Sequence, residues 1–101
     1  MEYPKFVQDA INQARVVNRE ELEKILNDKI EQAKKEEPRY RDFFVKRAIE
    51  EKEEKLKQYD NGENVIWHTD YTHEGYGSWG EDFVTDLYCD GSYKVVRHLA
   101  D

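Results

Sequence analysis

Cysteine and long apolar runs are scarce in this chain of 101 residues, and each scarcity excludes something. The single cysteine, Cys89, cannot form a disulfide within the chain, so a reducing cytoplasm is the expected compartment. No apolar run approaches the ~18 residues of a membrane-spanning helix. Residues 1–10 lack the basic start and apolar stretch of a signal peptide. We therefore expect a cytoplasmic protein without a membrane-spanning segment.

The apolar content is also low for a folded protein. Hydrophobic residues make up 38 % of the chain and charged residues 39 %, with a mean hydropathy of −1.07. Regular apolar stripes and 13 % aromatic residues still favour a folded state. Its core should be thin, and its stability without a partner marginal. We expect one domain over residues 1–101, with a helical part (1–60) and a β part (61–101).

Positive charge is nearly missing from the β part. Residues 61–101 carry only Lys94 and Arg97 against eight acidic residues, which accounts for −6 of the net charge of −7. A surface of this sign repels phosphate backbones and attracts basic proteins. We therefore expect no direct binding of nucleic acid through the β part.

The helical part shows apolar residues at three- and four-residue steps. This spacing predicts a first helix over about residues 4–16. Asn18 should cap a second helix together with Glu21, in a variant of the capping box. Pro38 disfavours helical geometry in the residue before it, so the second helix should end near residues 36–37 and a third should begin there.

The third helix should end at the sequence Asp60-Asn61-Gly62, where asparagine or glycine can adopt the left-handed conformation. Its first half is apolar enough to lie in the core. Its second half is mixed in charge and should be solvated, with contacts only through Leu56 and Tyr59. The expected core stripe of the first half contains Tyr40, Phe43, Phe44, Val45, Ala48 and Ile49.

In the β part the periodicity changes to two, which is typical of strands. Strands are predicted over about residues 65–71, 82–88 and 92–99. The segment 72–80 contains three glycines and is too polar for a strand interior, so it should be a long loop or a flexible hairpin tip. The predicted fold class is therefore α+β: three N-terminal helices followed by a three-stranded antiparallel meander packed on them.

The connection between the last two strands decides which residues share a face. A two-residue Asp90-Gly91 turn would pair Leu87 with Lys94, which mixes apolar and charged residues. A three-residue loop over 89–91, with Gly91 left-handed, pairs Leu87 with Tyr93 and gives two coherent faces, so we predict the longer loop. The inward face is then Phe83, Thr85, Leu87, Tyr93, Val95 and Leu99. The outward face is Asp82, Val84, Asp86, Tyr88, Val96 and His98.

Candidate catalytic chemistry is weak. The only close pair among the potential metal ligands is His68 and His73, and its spacing does not match the usual zinc motifs, so no metal or cofactor is expected. Cys89 stands beside Asp90, whose negative charge disfavours a thiolate nucleophile. The acidic residues lie on an expected open sheet rather than in a cleft, so we expect no enzyme.

The aromatic, glycine-rich segment around Tyr76 and Trp79 is the sharpest functional feature. Tyrosine and tryptophan set among glycine and serine provide an adaptable loop with a large contact area. The alternative is that Trp79 folds back and caps the thin core. Both interpretations remain open on the sequence alone.

These observations favour a non-enzymatic inhibitor or modulator that docks on a basic groove of a nucleic-acid-binding protein. Carboxylates would take the places of phosphates and aromatic rings would anchor the contact. Anti-CRISPR proteins made by phages and other acidic nuclease inhibitors share this logic as a physical class. The alternative is a small homo-oligomeric structural or regulatory module, such as a homodimer, with a solvated acidic face. The expected partner-binding residues are Asp70, Glu74, Tyr76, Trp79, Glu81, Asp82, Asp86 and Tyr88.

Overall fold

Three α-helices precede three β-strands in this computed structural model, which describes residues 3–75 and 80–100. The expected α+β fold, with helices before strands, is confirmed. No helix within these described ranges is long and apolar enough to cross a membrane. The strands form one antiparallel sheet in the order β1–β2–β3. The elements are α1 (Lys5–Ile11), α2 (Arg19–Ala33), α3 (Pro38–Asp60), β1 (Ile66–Glu74), β2 (Gly80–Tyr88) and β3 (Tyr93–Ala100).

The chain divides into two compact units. One unit contains α1 and the three strands, and the other contains α2 and α3. The first helix therefore belongs with the sheet, although its sequence pattern resembles that of the other two helices. That residues 1–101 fold as one domain stays a prediction.

In the first unit, α1 is shorter than its apolar pattern predicts. It ends at Ile11 rather than near residue 16. The chain is already extended at Val16, which forms an isolated antiparallel bridge with Asp90. Two consecutive β-branched residues, Val16 and Val17, favour this extended backbone over a further helical turn.

The core of this unit lies between α1 and the central strand. Val7 and Ala10 are the buried residues of α1. The rings of Tyr3 and Phe6 each meet Phe83 of β2 edge-on, with ring centroids 6.3 Å apart. This edge-to-face geometry is the favourable one for aromatic pairs, and it holds α1 on the sheet.

The predicted register of β2 and β3 is confirmed. Leu87 pairs with Tyr93, and Asp86 pairs with Lys94. The connection over residues 89–91 places Gly91 at φ +90°, a conformation that side chains with a Cβ rarely adopt. The three-residue loop was therefore the correct choice.

One face of the sheet carries the buried residues of β2. Phe83, Thr85 and Leu87 are at most 2 % exposed, as expected of the inward face. Tyr93 was expected beside them, but 48 % of it is exposed, so that prediction is wrong. The helix α1 packs on β1 and β2, whereas Tyr93 lies on the edge strand β3. The side chain of Leu99 lies outside the described part of the chain.

In the second unit, α2 and α3 run antiparallel. Asn18 caps α2 as predicted, because its side-chain oxygen accepts a hydrogen bond of 2.9 Å from the backbone N–H of Glu21. The helix ends at Ala33, a few residues before the predicted end. Leu22 and Leu26 are its buried residues.

The third helix begins at Pro38 and ends at Asp60, as predicted, and Gly62 follows at φ +82°. The prediction that its first half is core is wrong, because α3 contains no buried residue. The opposing second half of α2, residues 27–33, is mostly polar, and its apolar residues Ile30 and Ala33 are only half-buried. The large exposed residues of α3 are Tyr40, Phe43, Phe44 and Ile49.

Candidate protein-binding surface

The sheet presents two faces of different character. The face that α1 covers, here the α1 face, is defined by Phe83, Thr85 and Leu87 of β2. Side chains alternate along a strand, so Asp82 and Asp86 project from the opposite face. Cross-strand pairing adds residues of the neighbouring strands to this opposite face. They are Thr69, Tyr71, His73, Lys94, Val96 and His98.

The expected partner-binding residues divide between these faces. Asp82, Asp86 and Tyr88 lie on the opposite face, as predicted from the hairpin register. Asp70 pairs with Thr85 and Glu74 pairs with Glu81, which places three acidic residues on the α1 face instead. Asp70, Glu74 and Glu81 therefore do not share a face with Asp82 and Asp86. Tyr76 and Trp79 lie outside the described residues, so their roles stay predictions.

The acidic residues meet most closely at the end of the hairpin formed by β1 and β2. Glu74 is the last residue of β1 and lies directly opposite Glu81. Asp82 follows on the other face of the sheet. Like charges in opposed positions destabilise a sheet, so the repulsion between Glu74 and Glu81 lowers the stability of the isolated chain. Arg97 of β3 forms an ion pair with Glu81 and offsets part of it.

Asp82 is the centre of a polar cluster on the opposite face. Its carboxylate lies 2.5 Å from Nδ1 of His73, and His98 is its direct partner on β3. The hydrogen bond with His73 lowers the pKa of Asp82, and a further hydrogen bond from Tyr71 adds to this. The hydrogen bond between Tyr71 and Asp82 raises the pKa of the Tyr71 hydroxyl. Asp82 is therefore held in its ionised form by three neighbours on two strands.

The two other strand aspartates also have neighbours within the sheet. Asp86 accepts a hydrogen bond of 2.9 Å from the Thr69 hydroxyl and faces Lys94 across the strand pair. Asp70 lies 3.3 Å from Nε2 of His68. Each of these pairs is largely exposed and contributes little to stability. The sheet therefore compensates part of its own negative charge, including that of Glu81 and Asp82 at the hairpin end.

Trp67 occupies a bulge in β1 and is buried. The register of β1 shifts between Ile66 and His68, so the tryptophan is the inserted residue. Only 8 % of Trp67 is exposed, and the guanidinium of Arg15 lies 4.9 Å from its ring centre. This tryptophan is part of the core and is not available for docking. Its Nε1 is buried without a hydrogen-bond partner within the described ranges.

Aromatic residues of α3 form a second exposed cluster that sequence reasoning assigned to the core. The rings of Phe43 and Phe44 are 5.5 Å apart, and Tyr40 lies 6.5 Å from Phe44. Arg39 lies over Tyr40, and Arg47 over Phe43. The signal in the sequence was the basic residues beside the rings, because a buried stripe seldom has such neighbours.

An open groove of about 650 Å³ runs beside this cluster, between α2 and α3. Phe44 and Arg47 line one end, and Glu54 and Gln58 line the other. None of the three histidines lines it. Among the described residues there is no cluster of three side chains suited to a metal ion. Comparison with protein families, curated proteins and solved structures finds no match for this chain.

Proposed function

We propose that this chain is a non-enzymatic protein-binding inhibitor or modulator whose acidic β-hairpin end docks on a basic groove of a nucleic-acid-binding protein. The crowding of Glu74, Glu81 and Asp82 at one end of the hairpin carries the proposal. A basic partner would relieve the repulsion between the opposed glutamates. The relief of this repulsion would add to the binding free energy of the complex. Carboxylates would stand where the partner normally holds phosphates.

The segment that joins β1 to β2 supplies the aromatic part of the proposal. It contains Tyr76 and Trp79, residue types that are enriched among the strongest contributors to protein interfaces. In the sequence both stand between the end of β1 at Glu74 and the start of β2 at Gly80. The proposal includes a cytoplasmic location, no direct nucleic-acid contact through this surface, and packing of the sheet on all three helices.

Matched variants test the proposal by affinity capture from cell extract. The hairpin variant combines Glu74→Gln, Glu81→Gln and Asp82→Asn. The control variant makes the same change in charge on the helices, with Glu20→Gln, Glu31→Gln and Glu53→Gln. We expect the wild-type chain and the control to retain a basic partner, which elutes at high salt and is displaced by DNA. Equal binding by the hairpin variant, or binding that high salt leaves unchanged, would contradict the proposal.

A second candidate function is a homo-oligomeric structural or regulatory module. The observation that favours it is the exposure of Phe43 and Phe44, at 58 % and 40 %. Exposed aromatic clusters of this kind mark interaction surfaces. In that case the acidic residues of the sheet would keep the assembly soluble, and the hairpin variant would leave its activity intact.

A further inference from the structure

The two halves of α3 carry opposite charge along one helix. Residues 38–47 have four basic residues and one acidic residue, whereas residues 48–60 have five acidic and three basic residues. The exposed rings of Tyr40, Phe43 and Phe44 all lie in the basic half. The helix therefore has an aromatic, cationic end and an anionic end.

Both ends lie on the same side of the helix. Residues three, four and seven positions apart share a helical face, so Tyr40, Phe44 and Arg47 continue along the helix into Glu51 and Glu54. The groove between α2 and α3 follows this side, since Phe44, Arg47, Glu51 and Glu54 all line it. Lys29 and Lys55 also line the groove and both form ion pairs with Glu51, so Glu50 and Glu54 carry the negative charge that a third helix in the groove would meet.

We propose that this face is the interface of a homodimer in which the α3 helices of two copies pack antiparallel. In an antiparallel arrangement the two-fold axis crosses the helices, so the same patch of each copy meets itself in reverse. It places the aromatic, cationic end of each α3 beside the anionic end of the other. A parallel arrangement would bring like charges together. The charge pattern of α3 therefore favours a second copy of the chain in the groove, with its α3 helix running in the opposite direction.

The packing of the helical unit supports a second copy as the occupant. Leu22 and Leu26 of α2 are buried, but α3 buries no residue in the single chain, so the side of the helix pair that carries the groove is not enclosed. Two antiparallel helix pairs form a four-helix bundle, which encloses the facing side chains. The aromatic cluster of each copy would then fill the groove of the other.

The available area is close to the size that a stable dimer needs. A helix of 23 residues is about 34 Å long, and two helices side by side are about 20 Å wide. Because α2 has only 15 residues, the face covers on the order of 550 Å² per copy, near the lower end of the ~1,200–2,000 Å² that both copies of a standard interface bury together.

Oligomeric state is the first test, measured on the full chain by sedimentation equilibrium over a range of concentrations. We expect the wild-type chain to be a dimer. Phe43→Asp should raise the dissociation constant about 100-fold or more, because a two-fold interface contains the substitution twice. Tyr93→Asp places the same charge on another exposed aromatic residue, on β3, and should leave the dimer unchanged. A monomeric wild-type chain, or a Phe43→Asp chain that dimerises as tightly, would overturn the proposal.

Crosslinking tests the direction of packing. Glu50→Cys places a thiol near the middle of α3, and Arg39→Cys places one near its start. In an antiparallel dimer the Glu50→Cys chain should form an intermolecular disulfide and the Arg39→Cys chain should not. Disulfides in both chains would indicate parallel helices and would overturn the proposal. Cys89 is buried and serves as the background in the wild-type chain.

A labelled single-stranded oligonucleotide tests the other occupant that arginine and aromatic residues suit. We expect no binding to the wild-type dimer. Binding by a monomeric chain that Phe43→Asp abolishes would assign the face to nucleic acid and overturn the dimer. Failure of the dimer proposal can be distinguished from failure of the proposed docking function. The hairpin variant changes only the sheet, whereas Phe43→Asp changes only α3.

Discussion

Glu74 and Glu81 lie directly opposite each other across β1 and β2. Like charges in such positions repel, and the ion pair of Glu81 with Arg97 offsets only part of that repulsion. A sequence selected for stability alone gains nothing from this pair. Folding stability therefore does not explain this pair, which is why we propose the hairpin end as the docking surface.

Neutralising one of the two glutamates should stabilise the free protein. We expect Glu74→Gln to raise the free energy of unfolding by ~0.2–1 kcal/mol, the usual size of a cross-strand charge effect. Urea denaturation at low salt measures it. Glu63→Gln removes one charge from the exposed segment before β1 and should change stability less. A loss of stability in the Glu74→Gln chain would show that the opposed glutamates do not repel.

The cross-strand pair Leu87 and Tyr93 should respond very differently to truncation. Leu87 is fully buried, so Leu87→Ala should cost ~2–5 kcal/mol through lost burial and a cavity. Tyr93 is 48 % exposed, so Tyr93→Ala should cost much less, although the two residues are direct partners. Thermal and urea unfolding of both variants measure the difference. Equal losses would mean that β3 is covered in solution.

Removing the cap of α2 should destabilise the helical unit. Asn18→Ala deletes the oxygen that accepts from the backbone N–H of Glu21 and should cost ~1 kcal/mol. Asn18→Asp keeps an acceptor in the same place and should retain the stability. Urea denaturation followed by circular dichroism separates the two. An Asn18→Ala chain with the stability of the wild-type chain would show that this hydrogen bond does not stabilise α2.

Acid should weaken the Asp82 cluster in a defined pH range. The hydrogen bond with His73 holds the pKa of Asp82 below its value in the unfolded chain, which is about 3.9. A lowered pKa stabilises the folded state above the unfolded value, and this contribution is lost as the pH falls through the folded value. Carboxyl-carbon NMR should therefore show Asp82 titrating below the usual aspartate range.

The neighbours of Asp82 provide controls for that titration. His73→Gln removes the largest contribution, so the pKa of Asp82 should rise towards its ordinary value. Asp82→Asn should in turn lower the pKa of Tyr71 towards its ordinary value, since the bond to Asp82 is what raises it. An Asp82 that titrates normally in the wild-type chain would show that the cluster does not form in solution.

Local sequence signals predicted the elements and the hairpin register well. Pro38 and Asn18 act at the start of their own helices, so no distant contact is needed to interpret them. Gly91 and the alternation on β2 and β3 likewise decide the loop length within a few residues. The end of α1 was not predicted, although the consecutive β-branched residues Val16 and Val17 are a local signal for extended backbone. The loop predicted over residues 72–80 is too long, because β1 extends to Glu74 and β2 begins at Gly80.

The sequence by itself determined the three helices, the three strands, the order of both and the negative charge of the β part. Only the tertiary structure decided which apolar stripes are buried and which acidic residues share a face. An apolar stripe on α3 becomes core only when another element covers it, and Tyr40, Phe43 and Phe44 stay exposed in the single chain. Burial is a property of two surfaces in contact, whereas periodicity describes one.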